Sequence, residues 1–204
     1  MAINISESYI KKEALTDEEQ NLLKGSCQKF IEKFVINILL ETGLRVDEFI
    51  RLCTKIFMES QRNKSNFNKE DYNVIDWQNN EIIVYGKKTK QSKGKGERKR
   101  RIVPLSNIAK NYLDKYFSIE ENEKIDYTTT ALWYLVKRVA KRADIKKDVS
   151  PHILRHTFAV NYLKRGGKLA TLQRILGHTS LQTTSIYLTM TSADIQKEFS
   201  EVMK

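Results

Sequence analysis

Three histidines occur in the chain, His152, His156 and His178, and all lie in its last third. His152 stands three residues before Arg155, a spacing that puts both side chains on one face of a helix. An imidazole and a guanidinium so placed can grip one phosphate, the arginine with a two-pronged fork and the histidine as a donor. His178 directly follows Gly177, which suits a helix end that exposes the ring. Nine positions on stands Tyr187, a phenol able to act as a nucleophile where cations or a base activate it. Far upstream, in Thr42-Gly43-Leu44-Arg45-Val46-Asp47-Glu48, Arg45 offers a second guanidinium for the non-bridging oxygens. Two arginines and the histidines can neutralise the charge of a pentacoordinate phosphorus without a metal. The leaving oxygen then needs a general acid, and lysine suits that task. Taken singly, each of these residues has an ordinary reading: an arginine paired with Glu48, a histidine at a cap, a tyrosine in packing. Their joint occurrence in this order favours the chemical one.

A second concentration of charge lies between two β-prone runs, Ile82–Tyr85 and Ile102–Val103. Residues 87–101 carry nine basic side chains against one acidic residue, Glu97. The flanks predict a hairpin with a long basic connection. Such a connection would hold positive charge along a phosphate backbone and make binding steeply salt-dependent. Lys87, Lys90, Lys93, Arg98 and Arg100 are the candidate contacts to a DNA or RNA backbone.

The elements that must position these groups are mostly helical. Thr16-Asp17-Glu18-Glu19 reads as a capping box. Phe30, Ile31, Phe34, Val35, Ile38 and Leu39 predict an amphipathic helix ending near Thr42-Gly43. Val46, Phe49, Ile50, Cys53, Ile56 and Phe57 predict another, and Glu59–Asp71 a polar loop. Helices follow from Ser106 on, through Leu132–Val139, Leu154–Leu163 and Leu169–Leu176, with a last one over Ser192–Met203. The fold class is therefore mainly α with a small antiparallel β-sheet (α+β), without an internal repeat.

Composition is consistent with this. The 204 residues carry a net charge of +11, with 40% hydrophobic and 30% charged residues, enough apolar content for a core. An isoelectric point near 9.5 points to a polyanionic partner. Cys27 and Cys53 cannot form a disulfide framework, and a reducing, cytoplasmic setting is expected. Met1–Ser8 lacks an apolar leader core, and Phe30–Leu40 is interrupted by Glu32, Lys33 and Asn37.

On the three strings around Arg45, His152–Ala159 and Leu176–Tyr187, the sequence resembles the tyrosine recombinase (phage integrase) family, from Leu15 to the C-terminus. The resemblance implies the family's catalytic-domain fold over 15–204. Residues 1–14 would be a tail or linker remnant, and the family's N-terminal core-binding domain would be absent. It implies that Arg45 and Arg155 clamp the scissile phosphate and that Tyr187 attacks it to form a 3′-phosphotyrosyl link. His178 would support the transition state, His152 would assist proton movement, and a hairpin lysine would protonate the leaving oxygen. Lys88-Thr89 and Gly94-Lys95-Gly96 each match a family form of that lysine, with Lys88 slightly favoured. Neither metal nor ATP nor another cofactor is implied. The partners would be double-stranded DNA with a specific site and further protomers, four on two duplexes. A relaxing type IB topoisomerase shares this chemistry, and a DNA-binding protein without catalysis is the remaining alternative. Retention of both arginines, both box histidines and Tyr187 argues against the latter.

Overall fold

The computed structural model describes residues 14–86, 100–119 and 122–178. Eight helices lie among them: α1 (Asp17–Gly25), α2 (Phe30–Thr42), α3 (Val46–Phe49), α4 (Lys55–Gln61), α5 (Asn107–Ile119), α6 (Thr129–Arg142), α7 (Pro151–Lys164) and α8 (Leu169–Leu176). Four strands, β1 (Leu52–Cys53), β2 (Asn73–Asp76), β3 (Glu81–Tyr85) and β4 (Arg100–Pro104), form one sheet in that order.

α2 is the central helix. Phe34, Val35, Ile36, Ile38 and Leu39 are wholly buried because the helix packs against α5, α7 and α6. Phe34 stacks on Tyr116 of α5 with centroids 4.4 Å apart. The one acidic side chain sunk in this region, Glu32, is held by Arg142 of α6 at 2.9 Å and 3.2 Å and by the backbone N–H groups of Gln28 and Lys29. The Arg142 hydrogen bond, with these N–H groups, overcomes burial and brings the Glu32 carboxyl down to about 2. Thr16 caps α1 with both bonds of the box, at 3.2 Å from Glu19 N–H and 2.8 Å to Glu19 Oε2.

The hairpin forms as its residues predict. β3 and β4 pair antiparallel from Glu81↔Pro104 to Tyr85↔Arg100, so the basic connection leaves from Tyr85 and returns at Arg100. Three predictions need correction. The apolar run from Val46 to Phe57 is two helices separated by a strand. α3 stops after one turn because Asn73 donates from Nδ2 to the carbonyl of Glu48 at 2.7 Å, and Leu52–Cys53 pairs parallel with β2. Thr54 then caps α4, its hydroxyl accepting from Phe57 N–H. α4 in turn takes up the start of the stretch read as loop, which also holds a 3₁₀ turn at Lys69–Asp71. The sheet is therefore mixed: β1–β2 is parallel, whereas β2–β3 and β3–β4 are antiparallel. The helix expected over Ser192–Met203 lies outside the described residues.

Candidate active site

Arg45 is the N-cap of α3, set just after the left-handed Gly43 (φ +61°) that ends α2. Its backbone N–H donates to Glu48 Oε2 at 2.8 Å, and its Nη1 donates to Oε1 at 3.0 Å. The Arg45 side chain keeps 42% of its surface exposed.

Arg155 comes from the opposite side of the site, on α7, which starts with Ser150 as cap and Pro151 at its first position. Its side chain is 5% exposed. Nη1 donates to the carbonyl of Gly43 at 2.6 Å and Nη2 to that of Leu176 at 2.7 Å. Both carbonyls sit at helix C-termini, where backbone acceptors lack helical partners and the dipole favours a cation. One guanidinium thus joins the ends of α2 and α8. Its Nη1 also lies 3.9 Å from Glu48 Oε2.

His178 follows Gly177, which ends α8 with φ +67°. Its Nε2 lies 3.3 Å from Arg155 Nη2. A guanidinium only donates, so Nε2 accepts and the ring proton is assigned to Nδ1. Burial, and then the positive charges of Arg155, Arg45 and Arg101, push this imidazole down to about 4. His152 is exposed at the start of α7 and meets buried His156 edge to face, with centroids 4.4 Å apart.

Arg45, His152 and Arg155 line a hollow of about 210 Å³, with Val46, Asp47 and Pro151. A larger hollow of about 300 Å³ adjoins it across Val46, lined by Thr129, Thr130, Trp133 and Tyr134. Among the described residues, no group of three His, Cys, Asp or Glu side chains is arranged to hold a metal ion. No described helix is long and apolar enough to cross a membrane.

The fold thus brings together Arg45, His152, Arg155 and His178, which are separated by up to 133 positions in sequence. Arg100 is exposed at the start of β4. Lys87, Lys88, Lys90, Lys93, Lys95, Arg98 and Tyr187 lie outside the described residues.

Two participants escaped the sequence reading. Glu48 entered it only as an ion-pair partner for Arg45, and Arg101 only within the basic run. Arg101 donates from Nη1 to Glu48 Oε1 at 2.9 Å and from Nη2 to Oε2 at 2.7 Å. Burial alone would raise the Glu48 carboxyl, but the hydrogen bonds and charge of Arg101, with the N–H and charge of Arg45, hold it at about 2. The two-residue period of β4 was the available signal for Arg101, because it puts this residue on the same face as buried Val103.

The sequence model of the Phage integrase family matches residues 12–193. A tyrosine recombinase XerA from Saccharolobus solfataricus is 33% identical over 192 residues, which cover 93% of this chain and 56% of that protein. The chain spans a little over half the length of the curated relatives it matches. The crystal structure of a XerA recombinase superposes with a TM-score of 0.65 at 25% identity, over 94% of this chain and 64% of that one. The catalytic domain of bacteriophage HP1 integrase has the same fold, with a TM-score of 0.59 at 21% identity over 92% of this chain and 93% of that one. With this fold, and with the arginines and histidines of all three strings in one place, the chain belongs to the phage integrase family, the tyrosine recombinases, over its catalytic domain.

Proposed function

We propose that the chain cleaves and rejoins DNA strands at a specific site, through a covalent link between Tyr187 and a 3′-phosphate. The phenol oxygen of Tyr187 attacks the scissile phosphorus, the bond to the 5′ oxygen breaks, and a 3′-phosphotyrosyl link and a 5′-hydroxyl result. The phenol passes its proton to His152 as base, and the departing oxygen gains one from a hairpin lysine, Lys88 or Lys95. Rejoining runs the same exchange backwards from a 5′-hydroxyl. One phosphodiester replaces another, so the reaction needs no external energy source. Recombination would take four protomers on two duplexes.

The observation that carries this reading is the fixed guanidinium of Arg155, tied to two carbonyls, with His178 3.3 Å away and Arg45 and His152 lining the same hollow. Donors held in place before the charge develops stabilise a pentacoordinate phosphorus without reorganising. The net charge of +11 supports a DNA partner.

A duplex nicked beside the scissile phosphate tests the proposal, because loss of a short fragment traps the intermediate. The wild-type chain is expected to give a detergent-stable protein–DNA adduct, with or without chelator. Tyr187→Phe is expected to bind the same duplex and give none. Adduct formation by the phenylalanine variant would contradict the assignment of the nucleophile.

A further inference from the structure

We propose that Arg101 is a positioning residue for strand transfer: by filling both oxygens of Glu48, it keeps that carboxylate from drawing Arg45 and Arg155 away from an incoming phosphodiester. This rests on the reading above that the hollow between α3 and α7 takes the scissile phosphate.

The acceptor count of Glu48 carries the inference. A carboxylate offers about four lone-pair sites. Oε1 receives Arg101 Nη1 at 2.9 Å and Arg45 Nη1 at 3.0 Å. Oε2 receives Arg101 Nη2 at 2.7 Å and the Arg45 N–H at 2.8 Å. Arg101 therefore supplies half of the donors. The nearest further cation among the described residues is Arg155, whose Nη1 stands 3.9 Å from Oε2. Without Arg101, two acceptor sites open on a buried carboxylate between two phosphate-facing arginines. Arg155 Nη1 can close on one only by shifting from its present place beside the Gly43 carbonyl, 3.9 Å from Oε2.

Arg101 is itself held on two further sides. Its Nε donates to the Ile175 carbonyl at 2.8 Å. Its Cδ passes 2.8 Å from where a Cβ on Gly177 would sit, so the glycine beside His178 gives the side chain its path. Its side chain is 11% exposed, against 42% for Arg45. Arg101 spends both terminal nitrogens on the carboxylate, whereas Arg45 spends only Nη1 there and lines the hollow. Net charge agrees: three guanidiniums against Glu48 leave the cluster two positive charges, and losing Arg101 halves that.

Single-turnover adduct formation on the nicked duplex, measured with DNA affinity and thermal unfolding, tests the inference. Arg101→Met is expected to slow adduct formation about 100-fold, with affinity within about threefold of wild type. Adding Glu48→Gln removes the competing charge while keeping an oxygen for the Arg45 N–H. The double variant is expected to recover at least about tenfold over Arg101→Met. Arg101→Lys, which keeps the charge but cannot fork across both oxygens, is expected to fall between the methionine variant and wild type, and serves if the methionine variant does not fold. A double variant no faster than Arg101→Met overturns the inference, as does a folded lysine variant as slow as the methionine one. A wild-type chain that forms no adduct instead removes the functional reading beneath it.

Discussion

Glu48 and His178 set the proton inventory of the site. Both are shifted downwards, so both make stability depend on pH in the same direction. His178 takes up a second ring proton only below about 4 in the fold, against an ordinary 6.5. As pH falls through that window the unfolded chain takes up a proton that the native ring refuses, and stability drops. Glu48 repeats this lower down, between 4.5 and about 2, where protonation dissolves its pairing with Arg101 and Arg45. His178→Asn is therefore expected to lose less stability than wild type between pH 6.5 and about 4, read as the urea midpoint at each pH. Equal losses in both proteins would mean that the ring titrates normally in the fold. Arg45, Arg155, His152 and His178 were legible in sequence because short spacings carried them. The Glu48–Arg101 pair spans 53 positions, and no local pattern reports a contact that the sheet creates.

At the scale of elements, the site is assembled where helices stop. α2 ends at Gly43 and α8 at Gly177, each in the left-handed region, and Arg155 or Arg101 binds the carbonyls exposed beside them. Gly43 has a second reason to lack a side chain: a Cβ would lie 2.3 Å from Cδ1 of Phe158 on α7. Gly43→Ala combines a left-handed alanine with overpacking and is expected to cost on the order of 2–5 kcal/mol, seen in urea unfolding. It is also expected to slow adduct formation, because the displaced carbonyl is the one that holds Arg155 Nη1. Loss below about 0.5 kcal/mol would show that α7 yields freely there. Helix ends marked by glycine were readable in advance. The break after Phe49 was not, because buried Asn73 causes it: this amide accepts from Tyr85 N–H through Oδ1 and donates to the Glu48 carbonyl through Nδ2. β1 and β2 are two and four residues long, too short for alternation to stand out against the apolar run around them.

Across the whole molecule, the sheet and the helical core divide the work. Buried α2 fixes Gly43, and through it Arg155, while β3 and β4 set the base of the basic connection within reach of Glu48 by way of Arg101. The connection itself is proposed to follow the DNA backbone. Replacing Lys87, Lys90, Lys93 and Arg98 by Gln is expected to lower the slope of log affinity against log salt by about 0.9 for each side chain that meets a phosphate. Titrations at several salt concentrations measure it, and an unchanged slope would assign the backbone contacts elsewhere. Tyr187, nine residues beyond His178 in sequence, is the proposed nucleophile. The covalent bond itself is the most direct test. After trypsin digestion of the trapped adduct, the peptide from Ile175 to Lys197 is expected to carry a nucleotide joined through its 3′-phosphate to Tyr187, and the released strand a free 5′-hydroxyl. A nucleotide on another residue, or a link through a 5′-phosphate, would contradict it.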